Sequence, residues 1–139
     1  MAITTPYITA DGIVEIYHDD IFQGIVLIDR LNPPYGTALP GGFMDIGETI
    51  EACLQREMSE EIGLDVTIID LLGLYSDPSR DPRFHTVSAV YICRADAFPI
   101  AGDDAKSTKV VTLEMLHKEK FVFDHQKIID DYLKRKGTK

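Results

Sequence analysis

The chain has 139 residues, a length that suits one domain with a hydrophobic core on both faces of a sheet. Hydrophobic residues make up 45% and charged residues 27%, the balance of an ordinary globular protein. The formal net charge of −9 disfavours long DNA or RNA as a partner, because such a surface repels polyanions.

The start of the chain and the cysteines indicate the compartment. Residues 1–12 lack the basic start and apolar middle of a secretory signal. No apolar run approaches the roughly 18 residues of a membrane span. Cys53 and Cys93 lie in apolar surroundings without a CxxC or CxxH companion, which favours two buried reduced thiols over a zinc site. We therefore expect a cytoplasmic protein that does not enter a membrane.

The first predicted element is a β-hairpin. Residues 14–17 and 25–28 are β-branched runs, and the polar residues 18–20 lie between them. Prolines and a glycine predict a loop at residues 32–36. A short extended piece at residues 38–39 then leads into a Pro-Gly-Gly sequence.

The strongest helix prediction covers about residues 48–62. Apolar residues recur there at every fourth position, which predicts one buried face. Gly63 follows the last apolar position, and glycine readily adopts the left-handed conformation that commonly ends a helix. The predicted buried face consists of Ile46, Ile50, Leu54, Met58 and Ile62, widened by Cys53.

The second half of the chain predicts further strands and a last helix. Residues 66–75 and 86–93 are apolar and β-rich, and the polar residues 77–83 between them predict a loop. Residues 123–134 predict an amphipathic helix that buries Ile128, Ile129, Tyr132 and Leu133. This order fits an α/β/α sandwich with a mixed central β-sheet, built as one domain over residues 1–139.

Three glutamates share the other face of the first helix. Glu57, Glu60 and Glu61 stand at i, i+3 and i+4, where like charges oppose helix formation by a few tenths of a kcal/mol per pair. They also lie in the C-terminal half, where the helix dipole disfavours anions. Arg56 offers one partner at i+4, Glu60. A solvated acidic surface is one interpretation, and a cation site is the other.

The sequence upstream favours the cation site. Gly41 and Gly42 end a short extended piece, and glycines let backbone carbonyls turn inward without steric cost. A site of carboxylates, a carbonyl oxygen and water suits Mg²⁺ or Mn²⁺, which prefer oxygen ligands. Such ions would reverse the local charge of an acidic protein where phosphates must bind.

These residues match a family pattern. The segment resembles the Nudix box, G-x5-E-x7-R-E-U-x-E-E-x-G-U with U aliphatic, at every fixed position. The resemblance implies the Nudix fold and hydrolysis of a nucleoside diphosphate linked to another moiety. The matching residues are Gly42, Glu48, Arg56, Glu57, Met58, Glu60, Glu61, Gly63 and Leu64.

The resemblance also implies roles. Glu57 and Glu61 are expected to be the principal metal ligands, with Glu60 assisting. The carbonyl of Gly41 resembles the family's backbone ligand, and Arg56 is expected to orient Glu57. For Arg56 and Glu48 a purely structural ion pair is the alternative.

The general base has two candidate positions. The family places it either in the box, which here means Glu57 or a neighbour, or on a distant loop. The loop candidates in this chain are Asp103 and Asp104, for which a solvated turn is the alternative. Close relatives often carry an acid where Ser107 or Thr108 stands, so its absence favours the helix glutamates.

The loops suggest the substrate. Pro78, roughly fifteen residues after the box, and the later DPRxHxVS run resemble small prokaryotic ADP-ribose pyrophosphatases. A tryptophan frequent in them is replaced by Thr37, and a frequent aromatic by Val110. The leading hypothesis is hydrolysis of ADP-ribose to AMP and ribose 5-phosphate. The alternatives are a nucleoside triphosphate pyrophosphatase, including for oxidised nucleotides, and a nucleotide-sensing regulator without catalysis.

Arginines are the candidate phosphate ligands. Arg80 and Arg83 could act as mobile cationic forks for a diphosphate, or could pair with Asp77 and Asp81. Arg30, near the glycine pair, is a further candidate, and Gly42 is expected beside the substrate. The remaining expectations are that His85 satisfies a backbone partner, that Tyr35 and Phe43 pack more readily than they stack on a base, and that a homodimer forms, as in similar proteins.

Overall fold

The computed structural model describes residues 2–102 and 105–137, and one mixed sheet of seven strands runs through this part of the chain. Two α-helices and one 3₁₀ helix accompany the sheet in the same residues. The strands are β1 (Tyr7–His18), β2 (Ile21–Arg30), β3 (Thr37–Ala38), β4 (Gly41–Phe43), β5 (Thr67–Tyr75), β6 (Thr86–Ala95) and β7 (Ala105–Val111). The helices are α1 (Ile50–Ile62), the 3₁₀ helix (Leu113–Lys118) and α2 (His125–Lys136).

The predicted hairpin is confirmed. β1 and β2 pair antiparallel, and Asp19 and Asp20 connect them with φ values of 50° and 61°. Two consecutive positive φ values are what a tight hairpin turn needs, because they match the right-handed twist of the strands. Both strands are longer than the β-branched runs alone predicted.

The sheet is mixed because one pair of strands is parallel. The order is β3-β2-β1-β6-β5, in which β1 and β6 run parallel and the other neighbours antiparallel. β4 pairs with the first half of β1, and β7 pairs with β2. The register places Ala10 opposite Gly42 and Asp11 opposite Gly41, so the glycine pair lies directly beside β1.

Helix α1 ends where predicted but begins later. Gly63 has φ 67° and caps its C-terminus. Thr49 caps its N-terminus by accepting a hydrogen bond from the Ala52 N–H at 3.1 Å, so the helix starts at Ile50 rather than Glu48. The prediction that Ile46 belongs to the buried face is wrong. Ile46 precedes the cap and is fully exposed.

The two helices cover opposite faces of the sheet, and the predicted α/β/α sandwich is confirmed. One buried cluster joins Leu54, Met58 and Ile62 of α1 to the sheet. A second cluster joins Ile128, Ile129 and Tyr132 of α2 to the other face, with Leu133 partly buried against it. The four predicted residues of the last helix therefore face the core.

Three elements were not predicted from the sequence, namely β4, β7 and the 3₁₀ helix. β7 reads AKSTKVV, in which polar residues outnumber apolar ones, and its pairing with β2 rather than its own pattern makes it a strand. Cys53 and Cys93 are both free and buried, as expected. No helix in the described residues has the length and apolar content of a membrane span.

Candidate active site

A cleft of about 350 Å³ opens between the glycine pair, helix α1 and the start of helix α2. It brings together residues that lie far apart in sequence, including most of the predicted site. Glu60 is the predicted metal ligand that does not line it. The predicted residues that do are Arg30, Gly41, Gly42, Arg56, Glu57, Glu61, Arg80 and Arg83.

The glycine pair is packed too closely for any side chain. A Cβ at Gly42 would lie 2.2 Å from Oε2 of Glu57, so this carboxylate rests on the glycine backbone. A Cβ at Gly41 would lie 2.4 Å from the carbonyl oxygen of Ala10. The Gly41 N–H donates to Oε1 of Glu61 at 2.9 Å. The two helix glutamates therefore meet the backbone of β4 at adjacent positions.

Arg56 holds more carboxylates than its helix position suggested. It reaches Glu48 at 2.6 Å, Glu57 at 2.7 Å and Glu60 at 3.2 Å. It also donates to the Phe43 carbonyl at 2.9 Å. The hydrogen bonds that Glu48 accepts from Arg56 and from the Asp45 N–H lower the pKa of Glu48 to about 2. Helix spacing predicted the contact with Glu60, and the family resemblance implied the contacts with Glu57 and Glu48. The contact with the Phe43 carbonyl was not expected, because it requires the segment before α1 to fold back onto the helix.

The donor set at the cleft suits a hard divalent cation. Glu57 and Glu61 supply carboxylate oxygens on one helix face, and β4 supplies backbone oxygens beside them. As they stand, no three acidic, His or Cys side chains of the described residues converge on one point. Glu57 contacts Arg56, and Glu61 accepts the Gly41 N–H. The oxygen-only chemistry of these donors fits Mg²⁺ or Mn²⁺.

Asp11 is a site residue that sequence reasoning missed. It lies on β1 at the base of the cleft, where Ser88 Oγ donates to its carboxylate and Thr9 Oγ1 reaches it at 3.5 Å. Burial raises the pKa of Asp11 to about 6. An acid within a largely apolar strand was the signal that could have identified it, although β1 contains a second buried acid, Glu15.

His125 lies at the other end of the cleft. Its Nδ1 accepts the Leu39 N–H at 3.0 Å, which makes Nε2 the protonated ring nitrogen. Burial and the neighbouring Arg80 and Arg30 lower the pKa of His125 to about 3. The imidazole is therefore a neutral structural link between the Pro-Gly-Gly segment and helix α2.

The prediction that Arg80 is a mobile cation is wrong. Its side chain is 4% exposed and binds Asp124 through two hydrogen bonds, at 2.9 and 2.7 Å. A third goes to Thr86 Oγ1 at 2.7 Å. The expected alternative partner, Asp77, instead accepts from Ser79. Asp124, immediately before helix α2, supplies the partner that holds Arg80 of the loop before β6.

Arg83 is bound locally. It pairs with Asp81 at 2.8 Å, as the alternative interpretation expected, and its guanidinium lies 5.0 Å from the Phe84 ring centre. It still lines the cleft, and 35% of its side chain is exposed. Arg30 donates to the Pro34 carbonyl at 2.8 Å. Both arginines face the same cleft as the glutamates.

The remaining predicted residues fall into three groups. His85 Nε2 lies 2.9 Å from the Ser76 carbonyl oxygen, which confirms the expected backbone partner. Phe43 packs edge-on against Tyr7 with ring centres 5.8 Å apart, whereas Tyr35 is exposed. The loop candidates for the base, Asp103 and Asp104, lie outside the described residues.

Positions that differ from residues frequent in close relatives have local partners. Thr37 is buried, and its hydroxyl donates to Glu119 at 3.3 Å. Ser107 donates to Asp29 at 2.8 Å. Val110 packs against the core on the α1 side of the sheet. Thr37 and Val110 are therefore packed within the fold, whereas Ser107 is exposed and bonds to the neighbouring strand.

Comparison with known families gives one clear match. The family model described as NUDIX domain matches residues 6–132. This range includes both helices of the sandwich up to Tyr132 and the whole cleft described above.

Similar proteins agree with this match. An ADP-ribose pyrophosphatase of Methanocaldococcus jannaschii is 44% identical over 135 residues, which are 95% of this chain and 76% of the relative. The NUDIX domain of Shewanella oneidensis NrtR, solved with ADP ribose, superposes with a TM-score of 0.83 at 25% identity over 96% of this chain and 90% of that one. A bifunctional NMN adenylyltransferase/ADP ribose pyrophosphatase of Francisella tularensis, solved with AMP and a Mn ion, superposes with a TM-score of 0.81 at 28% identity over 97% of this chain and 43% of that one.

Proposed function

Because this chain belongs to the NUDIX domain family and is a pyrophosphatase of that family, we propose that its substrate is ADP-ribose. The reaction adds water across the diphosphate and releases AMP and ribose 5-phosphate. The observation that carries the proposal is one cleft in which Glu57 and Glu61 meet the β4 backbone opposite Arg30 and Arg83. The 44% identical relative, named as an ADP-ribose pyrophosphatase, supports the choice of substrate.

Nudix hydrolases depend on divalent metal ions, and we assign Mg²⁺ to this chain, with Mn²⁺ as a substitute. Glu57 and Glu61 are the proposed principal ligands, with the Gly41 carbonyl beside them and Glu60 assisting from the rim. When bound, such an ion lowers the pKa of water and polarises the phosphoryl oxygens. The ion also offsets the acidic surface at the place where a diphosphate must bind.

Arg56 and the helix glutamates have separate proposed roles in the reaction. Arg56 contacts Glu57 and Glu48 at once, so it fixes the carboxylate that rests on Gly42. Glu57 or Glu61 is the proposed proton acceptor for the attacking water, which requires a carboxylate within hydrogen-bond reach. The water oxygen forms a new bond to one phosphorus, and the bridging P–O bond breaks. The leaving phosphate keeps the electron pair.

The experiment that tests the function is product analysis by ³¹P NMR. Purified protein is incubated with ADP-ribose and excess MgCl₂, and the expected products are AMP and ribose 5-phosphate, with no signal for inorganic pyrophosphate. EDTA is expected to stop the reaction, because the glutamates alone cannot stabilise the developing negative charge. Unchanged ADP-ribose after long incubation would contradict the proposal.

The same assay separates the alternatives. A panel of nucleoside triphosphates, including oxidised ones, would release pyrophosphate if the triphosphate reaction were the main activity. ADP-ribose that binds tightly without turnover would instead favour a nucleotide-sensing role. Residues 1–139 as one domain, a homodimer and a cytoplasmic location stay predictions, and sedimentation equilibrium tests the homodimer.

A further inference from the structure

Phe123 adopts an unusual backbone conformation next to the cleft. Its φ is 56°, in the left-handed region that non-glycine residues rarely occupy, and it stands two residues before helix α2 begins. Such a conformation costs about 1 kcal/mol or more and persists only where surrounding contacts maintain it. Glycine would adopt this turn conformation at a lower cost. The presence of an aromatic residue here therefore indicates a role for its side chain beyond the turn.

The ring of Phe123 contacts two guanidinium groups from different parts of the chain. Arg30, at the end of β2, lies 5.0 Å from its centre, and Arg83, in the loop before β6, lies 5.4 Å from it. Both distances are within the range of a cation–π interaction. All three residues line the cleft that contains Glu57 and Glu61.

Each arginine is otherwise anchored on its own side. Arg30 donates to the Pro34 carbonyl, and Arg83 pairs with Asp81. Neither of these contacts sets the position of one arginine relative to the other. The Phe123 ring is a contact that both arginines make, and its π electrons attract each cation. Arg83 also lies 5.0 Å from the ring centre of Phe84 and 6.0 Å from that of Phe43.

We propose that Phe123 is a positioning residue that holds Arg30 and Arg83 as one anion-binding pair for the substrate diphosphate. The inference rests on the proposed function. It adds that the wall of the cleft with Arg30 and Arg83 binds the phosphate oxygens that face away from the glutamates. Two cations near one ring repel each other, and a dianionic group that both arginines bind reduces that repulsion. Planar guanidinium groups also match phosphate oxygens geometrically.

The test is equilibrium binding of inorganic pyrophosphate, measured by titration calorimetry in excess MgCl₂. Phe123→Leu keeps an apolar side chain but removes the π face, and Phe123→Tyr keeps the ring. We expect Phe123→Leu to weaken pyrophosphate binding by about tenfold, which combines a loss of roughly two- to fivefold for each arginine. Phe123→Tyr should bind pyrophosphate like the wild type. With ADP-ribose, Phe123→Leu should raise KM by a similar factor while kcat changes less than about twofold, because the pair holds ground and transition states alike.

A double-variant comparison separates positioning from a general loss of structure. In a protein that already carries Arg30→Ala and Arg83→Ala, Phe123→Leu should cause no further loss of pyrophosphate affinity. Wild-type affinity in the single Phe123→Leu variant, or an equal loss in both backgrounds, would overturn the inference. If Phe123→Leu unfolds, Phe123→Met takes its place in the same comparison. If the wild type does not hydrolyse ADP-ribose but the pyrophosphate results hold, the proposed substrate fails and the arginine pair stands.

Discussion

Arg56 explains how an acidic helix face is tolerated next to a cleft. Its guanidinium contacts Glu48, Glu57 and Glu60, so one side chain shares its donors among three carboxylates. These contacts raise the pKa of Arg56 above its already high ordinary value. Without Arg56, like charges at this spacing would lower the stability of the helix. The cation from the same helix reduces that penalty without filling the cleft.

Glu57 gives the first prediction at the scale of single residues. Glu57→Gln keeps the shape and the contact with Gly42 but removes a negative charge and the capacity to accept a proton. We expect kcat for ADP-ribose to fall by about a thousandfold or more, because metal binding and proton acceptance both weaken. Steady-state kinetics with saturating Mg²⁺ measures the change.

The control for this variant is Glu114→Gln. Glu114 is an exposed glutamate at the start of the 3₁₀ helix and does not line the cleft, so its loss should leave kcat unchanged. Circular dichroism should show wild-type folding for both variants. A near-normal kcat in the Glu57→Gln protein would show that the catalytic groups lie outside this helix.

The two glycines of β4 predict opposite phenotypes. At Gly42 an added Cβ meets the flexible end of Glu57, whereas at Gly41 it meets the backbone of Ala10 and Asp11. A carboxylate can move aside, but paired strands cannot separate without breaking hydrogen bonds. Gly42→Ala should therefore lose activity by about a hundredfold with a small change in Tm, and Gly41→Ala should lose several degrees of Tm.

Thermal melts and kinetics on the same preparations test this pair. Gly73→Ala on β5 serves as the control, since its nearest atoms would lie at 3.7 Å or more from the new Cβ, an ordinary contact distance. Equal losses of Tm in Gly41→Ala and Gly42→Ala would show that the glycines are needed only for strand pairing.

At the scale of elements, the start of helix α2 organises the cleft. Three successive residues contact separate segments: Phe123 contacts two arginines, Asp124 binds Arg80, and His125 accepts the Leu39 N–H. The helix thus connects the loop before β6 to the Pro-Gly-Gly segment. Its docking onto the sheet decides the shape of the wall opposite the glutamates.

The Arg80–Asp124 pair gives the prediction that belongs to this element. The two side chains are 4% and 17% exposed. Arg80→Ala leaves Asp124 without its partner in a poorly solvated position, which costs about 3 kcal/mol of unfolding free energy. Urea denaturation measures the loss. We expect a rise in the KM for ADP-ribose as well, since the loop that carries Arg83 loses its anchor.

An exposed ion pair provides the comparison. Arg135 contacts Asp70 at 3.1 Å, with side chains 44% and 61% exposed. Arg135→Ala should cost less than about 1 kcal/mol, because water and salt screen such pairs. A smaller loss in Arg80→Ala than in Arg135→Ala would contradict the structural role assigned to the buried pair.

At the scale of the whole molecule, buried ionisable groups couple folding to pH. His125 has its pKa lowered to about 3, so it stays neutral in the folded protein. The unfolded chain binds a proton at this residue below pH about 6.5, and stability is therefore lost as the pH falls. Asp11, with its pKa raised to about 6, acts in the opposite sense between pH 6 and 3.8.

His125→Gln separates these two effects. The glutamine can still accept the Leu39 N–H, and Asp11 is present in both proteins. Between pH 7 and pH 5 the wild type should lose about 2 kcal/mol of unfolding free energy more than the variant. Urea titrations at several pH values measure the difference. Parallel curves for the two proteins would show that His125 has the same pKa folded and unfolded.

Local patterns predicted the sandwich well. The apolar positions of both helices, the hairpin, the loop at residues 77–83 and the end of α1 at Gly63 all follow from signals within a few residues. The exceptions were β7, whose polar pattern hid a strand, and Ile46, which a cap at Thr49 excludes from the helix. Pairing with the distant strand β2 makes β7 a strand, whereas a local cap at Thr49 ends the helix before the apolar periodicity reaches Ile46.

The sequence by itself determined the glutamate face of α1, because spacing along a helix fixes which side chains are neighbours. The match to the Nudix box indicated the family, and with it a requirement for a divalent cation. The tertiary structure decided the rest of the cleft. Asp11 on β1, Arg80 bound to Asp124, and Phe123 beside two arginines come from segments far apart in the chain. Their meeting depends on strand register and helix docking, which are set by burial of the whole core and leave no periodic signal in the residues themselves.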